Sequence, residues 1–389
     1  MIGRMGLKIA CVAAIGFAGG AGAEQKPNVV FVMLDDLGYS QIEAFGRGLS
    51  AADCDPKLLD HIDKKDDYTL EQALRMMKTA SPTLSRMADE GVRFNNAFAC
   101  SNLCAPSRIG VATGILQNRW GIYRNIDTEA HGLNPNSHLA EKLKEQGYAT
   151  AHIGKWHIGS RDEEMVQRYL NKHGVEDPEK HTFWTLGKKS RQIQQELKRD
   201  GYEGSVVPKD HPLNNGFDYY FGYNMWDSPF YNASNVWEDF EPAGVIKDYN
   251  TDVFTDKALA FMEKSLAQQK PFYVQLHYHA VHSPLDPKAP KKYRDRFDSG
   301  SPTLDNFYAH VFGVDENARR IFHYLEEAGA AENTLLVFTS DNGGAVGGKS
   351  CLPGNAPYIG HKGMLHLGGF RVPLFFYWPG KIEQPLEKE

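Results

Sequence analysis

The sequence is poor in cysteine, with five in 389 residues, and carries no excess of positive charge. So few cysteines exclude a disulfide scaffold that replaces a hydrophobic core. A net charge of −6 argues against nucleic-acid binding, which needs a basic face. No internal segment reaches the roughly 18 consecutive apolar residues of a membrane span. Repeats, low-complexity tracts and nucleotide-phosphate loops are also missing, which removes solenoids, linkers and P-loop transferases from consideration. What remains is a chain that is 41% hydrophobic, enough for a large core in one or two domains.

The first 23 residues read as a secretory signal. Arg4 and Lys8 form the basic region, Ile9 to Ala21 is short and apolar, and Ala21-Gly22-Ala23 is a small-x-small cleavage site. A membrane anchor is the rival, but the run is short and Gly-rich. Cys11 lies inside it rather than after it, which disfavours a lipoprotein anchor. Cleavage takes away two positive charges and moves the net charge from −6 to −8. The protein is then expected to be secreted or periplasmic, with residues 24–389 as the working domain. Cys54, Cys100, Cys104 and Cys351 remain, enough for two disulfides.

Apolar runs alternate with amphipathic stretches, which predicts an α/β fold with a mostly parallel central sheet flanked by helices. Strands are expected at Val29–Leu34, Val92–Ala99, Tyr148–Ile153, Pro271–Leu276, Leu335–Thr339 and Val372–Trp378. Ser81-Pro82 and Gly91 bracket one helix, and Ser137 and Gly147 another, with Leu139 and Leu143 on its face. Phe254, Ala258, Phe261 and Met262 recur at helical spacing. So do Phe307, Val311, Val314, Ala318, Ile321 and Leu325, in a helix ending at Gly329. Residues 46–78 and 160–209, charged and weakly periodic, read as surface insertions.

Three groups of residues carry chemistry. Asp35-Asp36 and Asp341-Asn342 each follow a predicted strand, where open α/β sheets bind ligands. Three carboxylates and an amide suit Ca²⁺ or Mg²⁺ better than Zn²⁺, although either pair alone is ordinary turn composition. Between them stand Cys104, Pro106, Ser107, Arg108, Thr113 and Gly114. Six fixed positions in eleven arise by chance on the order of 10⁻⁸ per window. Lys155 and His157, if extended, point the same way. Pro106 places a helix start after Cys104, and helix N-termini bind anions. His277, His279 and His282 cluster after a strand; three histidines also raise a Zn²⁺ site, disfavoured in such oxygen-rich company.

The Cys104–Gly114 string resembles the C-x-P-S-R-x-x-x-x-T-G signature of the type I sulfatases, in the alkaline phosphatase superfamily. Gly147-Tyr148-Ala149-Thr150 with Gly154-Lys155-Trp156-His157 resembles that family's second signature. Gly360-His361-Lys362-Gly363 and Gly368 to Pro373 resemble a third segment, with Leu367 where the family usually has Glu. His282-Ser283-Pro284 matches its H-x-P pattern. The resemblance implies a sulfatase-like fold and hydrolysis of aryl or carbohydrate sulfates. It implies that a maturation enzyme oxidises Cys104 to formylglycine (3-oxoalanine), which leaves at least one remaining cysteine unpaired. One hydroxyl of the aldehyde hydrate then attacks sulfur and the other expels sulfate. It places one divalent cation, usually Ca²⁺, on Asp35, Asp36, Asp341, Asn342 and the modified Cys104. Lys155, Lys362 and His282 would hold the sulfate, Arg108 would orient the hydrate, His157 would take its proton and His282 would protonate the leaving alcohol.

Family members usually continue into a small C-terminal antiparallel subdomain, which the sequence lacks after about Gly380. That leaves a catalytically impaired binder of sulfated glycans as one alternative. A phosphate or phosphonate ester hydrolase of the same superfamily is another. Trp226, Phe230, Tyr231 and Trp237 suggest stacking on a sugar, or simple packing under a loop.

Overall fold

Strand β1 (Asn28–Leu34) alternates its side chains between two separate cores. Val30 and Val32 enter one apolar cluster, while Val29 and Phe31 pack against the other. A strand buried on both faces requires helices on both sides of its sheet. A computed structural model, describing residues 25–133, 138–345, 351–383 and 386–388, shows that arrangement. The signal segment and the proposed cap Ser137 lie outside the described residues.

The other strands are β2 (Val92–Phe94), β3 (Ala149–Lys155), β4 (Tyr219–Tyr223), β5 (Trp237–Glu238), β6 (Glu241–Pro242), β7 (Phe272–His277), β8 (Thr334–Ser340), β9 (Phe375–Tyr377) and β10 (Leu386–Lys388). They form one sheet in the order β10-β2-β9-β8-β1-β7-β3-β4-β5-β6. The five central strands, β8-β1-β7-β3-β4, run parallel. Antiparallel pairings join β9 to β8 and to β2 on one side, and β5 to β4 and to β6 on the other. The expected mostly parallel central sheet is thus present, with antiparallel strands added toward its edges.

One face of the sheet carries the helices Pro82–Glu90, Asn250–Ala267 and Pro302–Glu327. The predicted apolar stripe of the last, Phe307 to Leu325, is buried along its length. On the other face the Cys104–Thr113 helix contributes Ile109 and Ala112 to a cluster with Trp156, Phe217, Tyr220 and Tyr273.

Four local expectations change. The strand predicted to reach Ala99 stops at Phe94, leaving only an isolated bridge from Phe98 to Arg371. Leu139 is exposed and Ala140 is the buried residue of its helix. Within 46–78, the helix Leu70–Ala80 is core structure, burying Ala73, Met76 and Met77. Within 160–209, three helices close over their own apolar cluster, with Val166, Leu170, Phe183, Leu186, Leu197 and Tyr202 at its centre. High charge on the outer helix faces hid both patterns.

Candidate active site

Parallel register brings the chemistry together. Leu34 lies opposite Ser340, so Asp35-Asp36 and Asp341-Asn342 leave adjacent strands side by side. His277 ends β7 opposite Met33 of β1 and Gly154 of β3, which places the three histidines between Asp35 and Lys155. Gly154 adopts φ +101°, and a Cβ there would lie 1.9 Å from the His277 carbonyl oxygen, so only glycine allows this approach. Asp36 and His157 adopt left-handed backbone conformations, with φ 62° and 56°. Such strain in non-glycine residues concentrates at functional sites. It also means that His157 is not on an extended segment, so strand alternation does not set its direction.

The cysteine motif is explained residue by residue. Ser107 Oγ accepts from the Ser101 N–H at 3.0 Å and donates to the Ser101 carbonyl at 2.9 Å, fixing the loop before Cys104. Arg108 points inward and is fully buried. Thr113 Oγ donates to the Ile109 carbonyl at 2.7 Å, and Gly114 ends the helix at φ 67°. The expected anion-binding helix end is largely occupied by the protein itself. Ala105 N–H donates to Asn125 Oδ1 at 3.1 Å, Ser107 N–H to the Leu103 carbonyl at 3.2 Å, and Pro106 has no N–H. What this helix offers an anion is chiefly its dipole.

The floor is a buried ionic network. Lys155 Nζ meets Asp35 Oδ2 at 2.6 Å, and Arg108 Nη2 meets Asp341 Oδ2 at 2.8 Å and Asp35 Oδ1 at 3.7 Å. Cys104 Sγ lies 3.4 Å from Asp35 Oδ1. Toward the rim, Lys362 Nζ is 2.7 Å from Asp36 Oδ1, and His282 Nε2 is 3.6 Å from Asp36 Oδ2. Asn342 Nδ2 donates to Asp36 Oδ1 at 2.8 Å. His157 is buried, with Trp226 6.0 Å away between ring centroids.

Burial alone would raise the Asp35 pKa, but Lys155, His282, Arg108 and Lys362 hold it well below the usual carboxylate range. Asp341 goes the other way: burial, then the charges of Asp35 and Asp36, push it up to about 7 despite Arg108. Burial also raises the Cys104 thiol well above its ordinary value, so the unmodified side chain is a poor nucleophile. His157 and His279 are lowered, mainly by burial.

A hard cation fits these residues. Donor atoms of Asp35, Asp36, Cys104 and His282 all lie within 4.8 Å of one another. Asn342 Oδ1 is buried without a hydrogen-bond partner, and Asp35 and Asp36 add to the burial that raises Asp341, as expected where three carboxylates crowd one place. Asp341 stands just outside the tightest group, with Oδ1 accepting from the Asp36 N–H at 3.2 Å and Oδ2 committed to Arg108.

The structure thus draws together Asp35, Asp36, Cys104, Arg108, Lys155, His157, His282, Asp341, Asn342 and Lys362. Sequence reasoning undervalued three neighbours. His277 Nδ1 lies 3.3 Å from Arg108 Nη1. His279 Nδ1 bonds Tyr223 OH at 2.9 Å and lies 4.0 Å from Asp35. Asn125 caps the Cys104 helix. A polar residue ending a buried parallel strand was the available signal for His277; Asn125 carries none.

The sulfatase family model matches residues 27–389. An uncharacterized sulfatase of Escherichia coli (strain K12), YdeN, is 32% identical over 92% of this chain and 59% of its own length. N-acetylgalactosamine-6-sulfatase of Canis lupus familiaris is 27% identical over 94% of this chain and 59% of its own. Among solved structures, that of Ps i-CgsB in complex with k-i-k-neocarrahexaose has a TM-score of 0.68 at 22% identity, covering 93% of this chain and 68% of that one. The chain therefore spans about six-tenths of the length of these curated relatives. No helix among the described residues is long and apolar enough to cross a membrane. With the cysteine motif, the paired strand-end carboxylates and the family match in agreement, the chain belongs to the sulfatase family.

Proposed function

We propose that this chain hydrolyses sulfate monoesters, with formylglycine derived from Cys104 as nucleophile and a maturation enzyme as its obligatory partner. The observation that carries the reading is the position of Cys104, buried at a helix start, 3.4 Å from Asp35 and among Lys155, Arg108 and Lys362. A buried thiol raised in pKa is inert there, whereas an aldehyde hydrate needs no thiolate.

Asp35, Asp36, Asp341 and Asn342, with the oxygen of the modified residue 104, would hold Ca²⁺, or Mg²⁺ in its place. When bound, the ion supplies Lewis acidity that neutralises sulfate charge and lowers the pKa of a hydroxyl at position 104. Charge balance supports this division of labour. Three carboxylates face Lys155, Lys362 and Arg108, so the site is near neutral on its own residues. A divalent ion leaves a surplus of positive charge for an anionic substrate. Lys155 and Lys362 then clamp sulfate oxygens. His157, neutral through burial, accepts a proton from position 104. His282, less buried at the rim, protonates the departing alcohol. Arg108 fixes the hydrate and offsets its charge.

A sulfated sugar is the substrate class we favour. Of the aromatic stretch, Phe230 is buried and Trp237 half-buried, but Trp226 is 46% exposed beside His157 and offers a stacking face. A signal at residues 1–23 makes the protein secreted or periplasmic. The test is turnover of an aryl sulfate, an aryl phosphate and a panel of sulfated monosaccharides by protein co-produced with a maturation enzyme. Preferred hydrolysis of sulfate supports the reading, and faster phosphate hydrolysis contradicts it. Added Ca²⁺ should also raise the thermal midpoint in a concentration-dependent way.

A further inference from the structure

We propose that His277 is a positioning residue, holding the guanidinium of Arg108 in place without touching substrate. The inference rests on the sulfate-hydrolysis reading above, and it adds a residue that the family motifs do not contain.

The geometry is specific. Arg108 Nη1 carries two hydrogens and faces two acceptors, the Lys155 carbonyl at 2.9 Å and His277 Nδ1 at 3.3 Å. Arginine has only donors, while the Lys155 carbonyl, also 3.3 Å from His277 Nδ1, only accepts; in the tautomer we assign, Nδ1 presents its lone pair to Arg108 and Nε2, buried without a partner, carries the proton. Nη2 goes to Asp341 Oδ2 at 2.8 Å, and Nε has no partner. The guanidinium is thus held at three points: a carboxylate on β8's end, a carbonyl on β3's end, and an imidazole on β7's end. Without His277, one hydrogen of a fully buried cation loses its acceptor. Such a loss leaves a buried donor unsatisfied and invites the side chain to rotate.

His277 is itself fixed. Its ring meets His152 edge-on at 4.8 Å and an interplanar angle of 86°. His152 Nδ1 lies 3.1 Å from Gln275 Oε1, and Gln275 Nε2 donates to Tyr273 OH at 2.6 Å. All four side chains are essentially sealed from solvent. Burial, then His152 and Arg108, push His277 well below the ordinary histidine range. It is therefore neutral and adds no second positive charge beside the guanidinium. Partners of this kind, one step removed from the reacting atoms, typically change activity by about 10–100-fold.

The experiment compares wild type with H277A, H277N and H277Q, each co-produced with a maturation enzyme and assayed on an aryl sulfate. Aldehyde content at position 104 is measured for each, so that kcat refers to matured protein. H277A should lower kcat by about 10–100-fold and leave KM within about threefold, because the lost contact is not to bound substrate. Asparagine places Oδ1 where Nδ1 stands and should recover most of kcat. Glutamine places its amide nearer the Nε2 position and should not. Crystal structures of the alanine and asparagine variants give a readout independent of turnover: Arg108 displaced in the first and retained in the second. Wild-type kcat in H277A, equal behaviour of the asparagine and glutamine variants, or an unmoved Arg108 in H277A overturns the proposal. An inactive wild-type protein carrying the aldehyde would count against sulfate hydrolysis itself, and the position of Arg108 would still decide the role of His277.

Discussion

The site contains the same pairing twice, lysine on aspartate, in two environments. Lys155–Asp35 lies on the floor with both side chains fully buried, while Lys362–Asp36 lies at the rim with the lysine side chain 19% exposed. The floor pair is locked between neighbouring strands before any substrate arrives. The rim pair sits on the loop after Gly360 and keeps solvent contact. Removing one partner of a buried pair strands the other charge in a low dielectric, so floor residues are bound up with the fold as well as with the proposed chemistry. Rim residues are less bound to the fold, and under the proposed function they act on substrate alone.

The largest expected effect breaks the comparison at its centre. Cys104→Ala should reduce turnover to background while leaving the thermal midpoint close to that of the unmatured wild type. Residual turnover on an aryl sulfate at wild-type rates would remove position 104 from the chemistry.

Next, the two lysines should separate. Lys155→Ala is expected to lose about 3–5 kcal/mol of folding stability along with activity, because buried Asp35 loses its closest cation and keeps only the longer Arg108 contact at 3.7 Å. Lys362→Ala should lose less stability than Lys155→Ala, because Lys362 keeps solvent contact and buried Asp36 still accepts from Asn342 Nδ2 at 2.8 Å. It should still lose about 2.7–4 kcal/mol of transition-state binding, as for a single oxyanion contact. Urea midpoints together with kcat/KM check this. Equal stability losses in the two variants would contradict the division into floor and rim.

A buried carboxylate outside the site separates burial from function. Asp315 accepts from the Leu84 N–H at 2.8 Å, and its other oxygen has no partner. Burial pushes its pKa up to about 6 from an ordinary 3.8. Its folded pKa thus lies above its unfolded one. Its favourable contribution is full below about pH 4 and is lost as pH rises through about 6. Relative to Asp315→Asn, the wild type should therefore lose on the order of 3 kcal/mol between these limits, at about 1.4 kcal/mol per unit. Denaturation midpoints of both proteins across that range test it, and turnover should differ little between them.

The smallest effect is expected at the outer rim. Trp226→Ala should raise KM for sulfated monosaccharides by about 3–10-fold, in line with roughly 0.5–1.5 kcal/mol for an aromatic contact. Unchanged KM across the panel would remove the stacking face.

Much of this was legible in the sequence where the signal is local. Strand β1 and the helix Pro302–Glu327 announce themselves through continuous or periodic apolar residues. Asp35-Asp36 and Asp341-Asn342 stand out because they follow such strands directly. Relations across the sheet were not legible. His277 is only one of three clustered histidines until register places it beside Lys155 and Arg108. Asn125 reaches the Cys104 helix from twenty residues away with an ordinary amide. The helix Leu70–Ala80 hid its buried Met76 and Met77 among charges. Strand Val92–Phe94 was overextended because Phe98, apolar and half-exposed, continues the pattern without a ladder to join.

The central claim is that position 104 is converted and then acts. Mass spectrometry of the tryptic peptide Phe94–Arg108, from protein co-produced with a maturation enzyme, tests it most directly. Cys100 lies in the same peptide and reports on thiol alkylation after reduction. The account predicts an aldehyde at position 104 with Cys100 alkylated. Alkylation of both cysteines would contradict it.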